Sequence, residues 1–111
     1  MVQRCLVILA LLTAPALAEP ARPAQPAPRI EGTFGFDVMK PRQKCTKITG
    51  PLLARLGKSY HCAAPDNGGQ TGSGVTSVAT CKATKGASEY MLFSTAADCD
   101  KERETQLANA G

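Results

Sequence analysis

The chain has 111 residues, with five cysteines, one histidine, no tryptophan and a net charge of +4 at pH 7. A single histidine excludes a metal site built from several histidines within one copy of the chain. The charge excess is mild and is not the dense basic surface of a nucleic-acid-binding protein, so nucleic acid is not an expected partner. Neither composition nor spacing predicts a metal or another cofactor.

The first 18 residues have the layout of a secretory signal peptide. Arg4 gives a positive start, Cys5 to Leu12 form a short apolar run, and Ala16-Leu17-Ala18 is a small-x-small cleavage pattern. The apolar run is too short to span a bilayer. We therefore expect cleavage after Ala18, a periplasmic or secreted protein, and no transmembrane segment after cleavage. The Pro/Ala-rich residues 19–31 predict a flexible linker, and the short Arg-led signal before them is typical of a bacterial protein.

The four cysteines that follow the signal predict two disulfides, because an even number in a short exported chain is typical of a disulfide framework. No C-x-x-C pair occurs, which argues against a zinc or thioredoxin-like redox site. Four cysteines allow three connectivities. The helix predicted over residues 42–56 and the strand predicted over residues 58–63 should run in opposite directions. This favours a Cys45–Cys62 bridge and leaves Cys81–Cys99 as the second.

The folded part is predicted over residues 32–111 and begins with an extended segment and a helix. Apolar residues alternate over residues 32–39, as in a short strand, and recur at helical spacing over residues 42–56. Pro51 lacks the backbone donor of a helix interior. Either one helix is kinked at Gly50-Pro51, or a turn precedes a helix that begins there with Thr49 at its cap. We favour helix over most of residues 42–56.

Three strands are predicted next, over residues 58–63, 75–83 and 89–95. The glycine-rich residues 65–74 between the first two predict a mobile loop. Thr95 then resembles the cap of a last helix over residues 96–110. Short turns favour an antiparallel meander. The sequence thus predicts a small two-layer α+β domain, in which a three-stranded antiparallel meander carries two helices on one face and two disulfides crosslink the whole.

No catalytic set is predicted. His61 precedes Cys62 directly, but a Cys/His pair needs the imidazole to reach the sulfur, and adjacent residues of a strand point to opposite faces. The glycine-rich loop lacks the Lys and Ser/Thr of a phosphate-binding loop. The acidic residues of the last helix lie along one helix and not across a cleft.

The charge layout carries more information than any motif. Residues 40–58 hold six cationic side chains and no acid, whereas the last predicted helix is rich in acids. One interpretation is that the basic helix packs beside the acidic helix. The other is that the basic segment contacts an anionic envelope surface or an acidic partner. The predicted contact residues are Lys44, Lys47, Arg55 and Lys58, with Asp66, Asn67 and Gln70 of the loop.

These observations predict a small exported, non-enzymatic domain that binds an envelope macromolecule, either a protein or an anionic polymer. One alternative is a small exported hydrolase with two carboxylates from different elements in a cleft, such as Asp37 or Asp66 facing Glu89. A strongly displaced carboxyl pKa would favour the hydrolase. The other alternative is a purely structural envelope component.

Overall fold

The computed structural model describes residues 27–110. The predicted signal peptide and most of the predicted linker lie outside the described residues. The elements in chain order are β1 (Phe34–Asp37), β2 (Thr46–Lys47), α1 (Gly50–Ser59), β3 (Tyr60–Ala63), a short 3-10 helix (Asp66–Gly69), β4 (Ala79–Ala83), β5 (Glu89–Phe93) and α2 (Ala96–Asn109). Within this part of the chain, no helix has the length and apolar character needed to cross a membrane. The predicted α+β class is confirmed.

The strands form one antiparallel sheet in the order β2-β1-β5-β4-β3. The predicted meander is present as β3, β4 and β5, but the predicted count of three strands is wrong. β1 pairs along the free edge of β5, with Phe34 opposite Phe93, and β2 pairs along β1. This pairing satisfies backbone groups of β5 on both sides. The central place of β5 explains its continuous apolar run, because such a strand is covered on both faces.

The two helices cover opposite faces of the sheet, so the predicted two-layer packing on one face is wrong. Successive side chains of β5 point to opposite faces. Tyr90 and Leu92 pack in one core cluster with Leu56 of α1. Phe93 packs in a second cluster with Cys99 of α2. A strand that is apolar on both faces needs cover on both, and each helix supplies it for one face.

The first helix begins at Gly50 with Pro51 in its first turn, and Thr49 occupies the N-cap position without a capping hydrogen bond from its side chain. The alternative with a turn before Pro51 is therefore confirmed, and the helix predicted over residues 42–49 is wrong. The N–H and C=O of Ile48 bond instead to the backbone just ahead of β1. Proline lacks a backbone donor, which suits the first turn of a helix and not its interior.

The structure contains the predicted number of disulfides, but the predicted pairing, Cys45–Cys62 with Cys81–Cys99, is wrong. The bridges are Cys45–Cys99 and Cys62–Cys81. Cys62 and Cys81 face each other directly in the register of β3 and β4. Cys81 belongs to the core cluster under α1, whereas Cys99 belongs to the cluster under α2. The sheet itself separates these two sulfurs. Two bridges are typical of a protein that folds in an oxidising compartment outside the cytoplasm.

The folded part starts ahead of β1. Ile30 packs against the core cluster under α1, and its carbonyl oxygen accepts bonds from the N–H and hydroxyl of Thr33 at 3.1 and 2.6 Å. Ile30 lies within residues 19–31, which are predicted as a linker, so the end of that segment packs against the domain.

Candidate functional site

A basic groove of about 450 Å³ lies where the C-terminal end of α1 meets the turn between β4 and β5. Three cationic residues line it: Arg55, Lys58 and Lys85. The remaining polar lining residues are Ser59, Tyr60, Thr84 and Ser88. Among the residues that the structure describes, no acidic side chain lines this groove. We refer to it below as the basic groove.

The helix supplies two of the three cations from one side. Arg55 and Lys58 are three residues apart in α1, and residues at that spacing are neighbours on a helix surface. Lys58 lies in the last turn, where the helix dipole favours a positive charge. The sequence therefore groups these two cations locally.

The third cation is brought in by strand pairing. The backbone N–H of Thr84 and its hydroxyl both donate to the Ser59 carbonyl oxygen, at 2.9 and 3.1 Å. These bonds satisfy a carbonyl at the end of α1, where intrahelical partners run out. They fix the β4–β5 turn against the helix, and the next residue, Lys85, consequently lines the same groove as Lys58.

A hydrogen-bond chain holds the wall of the basic groove. Asp37 is 4% exposed, and its carboxylate accepts a 2.7 Å bond from the Ser88 hydroxyl. Since a carboxylate only accepts, Ser88 donates to it, and the Tyr60 hydroxyl donates to Ser88 at 2.7 Å. The ring of Tyr60 meets the ring of Tyr90 edge-on at 5.7 Å. Arg55 donates to the Tyr90 hydroxyl at 3.1 Å. The guanidinium therefore reaches the groove in a fixed orientation.

The predicted contact residues fall in separate places. Arg55 and Lys58 line the basic groove. Lys44 and Lys47 lie at and just before β2, at the sheet edge opposite β3. The ammonium group of Lys47 is 5.9 Å from the centroid of the Phe34 ring, a cation–π contact. The structure thus divides the predicted basic segment into two pairs.

The predicted loop residues do not join the basic groove. Asp66 and Asn67 form the 3-10 helix, and Gln70 makes an isolated bridge across the loop. The loop is also tied to α2, because the Ser73 N–H donates to the Glu102 carboxylate at 3.0 Å. The glycine-rich segment also carries hydrogen bonds of its own, such as those from the Thr71 hydroxyl to the Val75 carbonyl oxygen and from the Ser77 hydroxyl to the Gly69 carbonyl oxygen.

Glu102 is the buried carboxylate of α2, at 3% exposure. Burial raises its pKa, but hydrogen bonds from Gln106, Ser73 and Thr71 together outweigh burial and hold the pKa below its ordinary value. The expectation that an acidic α2 packs beside a basic α1 is wrong, because the helices cover opposite faces. Glu102 instead stabilises the loop. Its burial was not predicted, since a glutamate among other charged residues reads as solvated.

His61 and Cys62 point to opposite faces of β3, as predicted. His61 is exposed, and Cys62 is bonded to Cys81. A sulfur held in a disulfide is not available as a thiolate.

Sequence reasoning missed Lys85, Ser88 and the two tyrosines of the groove wall. One signal was present: Lys85 lies in the turn between two predicted neighbouring strands. Because β3 pairs with β4 and Tyr60 lies opposite Ala83, the chain returns to the end of α1 just before Lys85. The contact of Ser88 with Asp37, 51 residues apart, has no local signal.

Searches against protein-family models, curated proteins and solved structures find no match to this chain.

Proposed function

We propose that this protein is an exported, non-enzymatic binding domain whose basic groove holds carboxylate or phosphate groups of another macromolecule. The observation that carries the proposal is the convergence at one groove of three cations from two separate elements, Arg55, Lys58 and Lys85. The two disulfides support a site of action in an oxidising compartment. The ligand is then an acidic protein or an anionic polymer of that compartment.

The chemistry of the groove suits oxyanions. Charge-assisted hydrogen bonds to carboxylate or phosphate are shorter and stronger than neutral ones. Arg55 is already oriented by its bond to Tyr90, so less side-chain freedom is lost when an anion binds.

The small free energy of each ion pair predicts the kind of ligand. An exposed ion pair contributes only about 0–1 kcal/mol, so a single anionic group would bind weakly. A chain that presents several anionic groups at close spacing gains from the high effective concentration of the next group once the first is bound. We therefore expect acidic clusters or polyanions to bind, and isolated acetate or phosphate to bind poorly.

Two variants of equal charge test the proposal. Lys58→Gln/Lys85→Gln removes two cations of the groove, and Lys44→Gln/Lys47→Gln removes two cations near the opposite edge. Fluorescently labelled polyglutamate and polyphosphate are titrated with each protein, and anisotropy is followed. We expect the groove variant to bind about tenfold more weakly, as for the loss of a dominant contact, and the edge variant to stay within about twofold of the wild type.

The two probes separate the two sources of anion. Preference for polyglutamate indicates an acidic protein partner, and preference for polyphosphate indicates a phosphate-bearing polymer. Equal weakening by both variants would mean that binding follows net charge alone, and the groove assignment would fail. Crosslinking of the tagged protein in its own compartment then identifies the natural partner; the absence of any crosslinked partner would support a purely structural component.

One observation favours the second candidate function, a small hydrolase. Asp66 and Glu89, from different elements, line one cavity of about 210 Å³ together with His61. Asp37 takes no part, because it is buried and bonded to Ser88. The test is an Asp66→Asn/Glu89→Gln variant assayed on glycoside and ester substrates. Activity that the wild type has and this variant lacks would establish the hydrolase.

A further inference from the structure

A second groove, of about 810 Å³, lies between the β1–β2 loop and the C-terminal end of α2. Its apolar lining is formed by Met39, Pro41, Leu107 and Ala110. Met39 is 58% and Leu107 is 38% exposed. Of the three large apolar side chains that are exposed in the described part of the chain, two therefore lie in this one groove. We refer to it as the apolar groove.

The walls of the apolar groove are fixed to each other. The Arg103 guanidinium donates to the Pro41 carbonyl oxygen at 3.1 Å, which joins α2 to the loop. The Cys45–Cys99 disulfide joins the same two segments covalently. A groove with crosslinked walls is formed before any ligand arrives, and this reduces the ordering cost of binding.

Packing in the core does not account for the apolar side chains of this groove. Leu107 follows the helical spacing of a core residue, yet neither core cluster includes it. Methionine is flexible and polarisable, and it is over-represented at surfaces that adapt to a partner. Adjoining exposed apolar side chains at one groove are typical of an interaction site.

Charge specifies the occupant. Lys40 and Arg42 flank the apolar residues, and among the described residues no acidic side chain lines the groove. Two copies that met groove to groove would bring these cations against each other, which disfavours such a dimer. A segment with apolar anchors between acidic residues satisfies both the apolar floor and the basic rim.

We propose that the apolar groove docks an amphipathic segment of a partner protein, with apolar side chains between Met39 and Leu107 and acidic side chains against Lys40 and Arg42. This surface is built from α2 and the β1–β2 loop. The basic groove is built from α1 and the β4–β5 turn. The two sites are independent, and one partner that carries both an acidic cluster and such a segment would gain from engaging both.

Three synthetic helical peptides test the proposal. The first carries Leu and Phe at helical spacing with flanking Glu, the second replaces Glu by Lys, and the third replaces Leu and Phe by Ser. Disulfide-bonded protein expressed from the full-length sequence is titrated with each labelled peptide. We expect the Glu peptide to bind at least about tenfold more tightly than the other two. In the protein, the Glu peptide should shift the amide signals of residues 38–43 and 106–110, and the Ser peptide, which carries the same Glu residues, should not.

Protein variants locate the site. Met39→Ser/Leu107→Ser should weaken binding of the Glu peptide about tenfold, whereas Val78→Ser, the third exposed large apolar position, should change it less than twofold. If the double variant fails to fold, Met39→Ser alone serves, because Met39 is the most exposed of these side chains. Lys40→Gln/Arg42→Gln should reduce the preference for Glu over Lys.

Several outcomes would overturn the assignment. Equal binding of the Glu and Lys peptides would remove the charge argument. Unchanged binding by the Met39/Leu107 variant would remove the location. A dimer that sedimentation detects and that Met39→Ser/Leu107→Ser abolishes would make a second copy the occupant. Binding to anionic lipid vesicles with no binding of the Glu peptide would make a membrane surface the occupant of the apolar groove. Loss of polyanion binding at the basic groove would not change binding of the Glu peptide at the apolar groove, so either proposal can fail while the other holds.

Discussion

Replacement of Glu102 by Gln tests whether one buried carboxylate stabilises the glycine-rich loop. Its two oxygens accept bonds from the Ser73 N–H at 3.0 Å and from the Gln106 amide at 2.8 Å. A hydrogen bond to a charged group contributes about 1.5–3 kcal/mol. Gln retains the shape but removes the charge and turns one acceptor into a donor. We therefore expect Glu102→Gln to reduce the free energy of unfolding by about 2–3 kcal/mol at pH 7.

One effect acts in the opposite direction. Asp98 lies four residues before Glu102 in α2, and a like-charged pair at that spacing costs about 0.2–0.5 kcal/mol. Relief of this repulsion is several times smaller than the loss of the charged hydrogen bonds. The net effect of Glu102→Gln is consequently destabilising.

The pH dependence gives the sharper test. The folded-state pKa of Glu102 lies below its ordinary value of 4.5, so the stabilisation is fully present above pH 4.5. It is lost as pH falls through the lowered folded pKa, because the unfolded state binds the proton more readily. The difference between wild type and Glu102→Gln should therefore be largest at neutral pH and shrink in acid.

The assay is urea unfolding followed by circular dichroism from pH 7 down to pH 3. Glu104→Gln is the matched control, since Glu104 is exposed on the same helix, and it should change stability by less than about 0.5 kcal/mol. Faster amide exchange at Ser73 in Glu102→Gln would locate the effect in the loop. A stability difference that is the same at pH 3 and pH 7, or a variant as stable as the control, would refute the reasoning.

Three further predictions concern the fold. Peptide mapping without reductant should recover the bridges Cys45–Cys99 and Cys62–Cys81, and replacing either pair by Ala should lower the free energy of unfolding by about 3–4 kcal/mol in urea unfolding; a free thiol at any of these four cysteines in the native protein would contradict this. Gly69→Ala should lower the free energy of unfolding by about 1–3 kcal/mol, because φ is +84° and the new Cβ would collide with the Ser77 carbonyl oxygen, whereas Gly72→Ala, with open space around it, serves as control. Asp37→Ala should lower the free energy of unfolding by about 1.5–3 kcal/mol, since it removes the buried carboxylate that accepts from the Ser88 hydroxyl and the Met39 N–H; a thermal midpoint equal to that of Asp66→Ala would argue against it.

The elements with strong local signals are predictable from the sequence. The last helix begins where Thr95 predicts it, and the Thr95 hydroxyl accepts the Asp98 N–H at 3.1 Å. The apolar run of β5 is a strand with the predicted start. Both signals are short-range, because they depend on a cap or on a continuous pattern within one segment.

Residues 42–49 had a helical pattern but form a loop and β2. The apolar spacing there includes only a few positions, and such a short pattern is outweighed by tertiary contacts. Ile48 is fully buried and bonds to the chain ahead of β1. Pairing with a distant segment decided the conformation, and no periodicity within these eight residues records it.

The candidate site was half predictable. Arg55 and Lys58 are grouped by one helix, so their clustering is visible in the sequence. Lys85 and the chain from Tyr60 through Ser88 to Asp37 join them only through the register of the sheet. Lys44 and Lys47 leave the group for the same reason, because β2 lies at the opposite edge.

The sequence by itself determined the number of disulfides, the α+β class, the place of the last helix and the three strands of the meander. Tertiary structure alone decided which cysteines pair, which face each helix covers and which cations share a groove. The physical reason is that a pattern along the chain tells which side chains avoid water, but not which distant segment they face. That choice depends on strand order, and strand order is a property of the whole packed sheet.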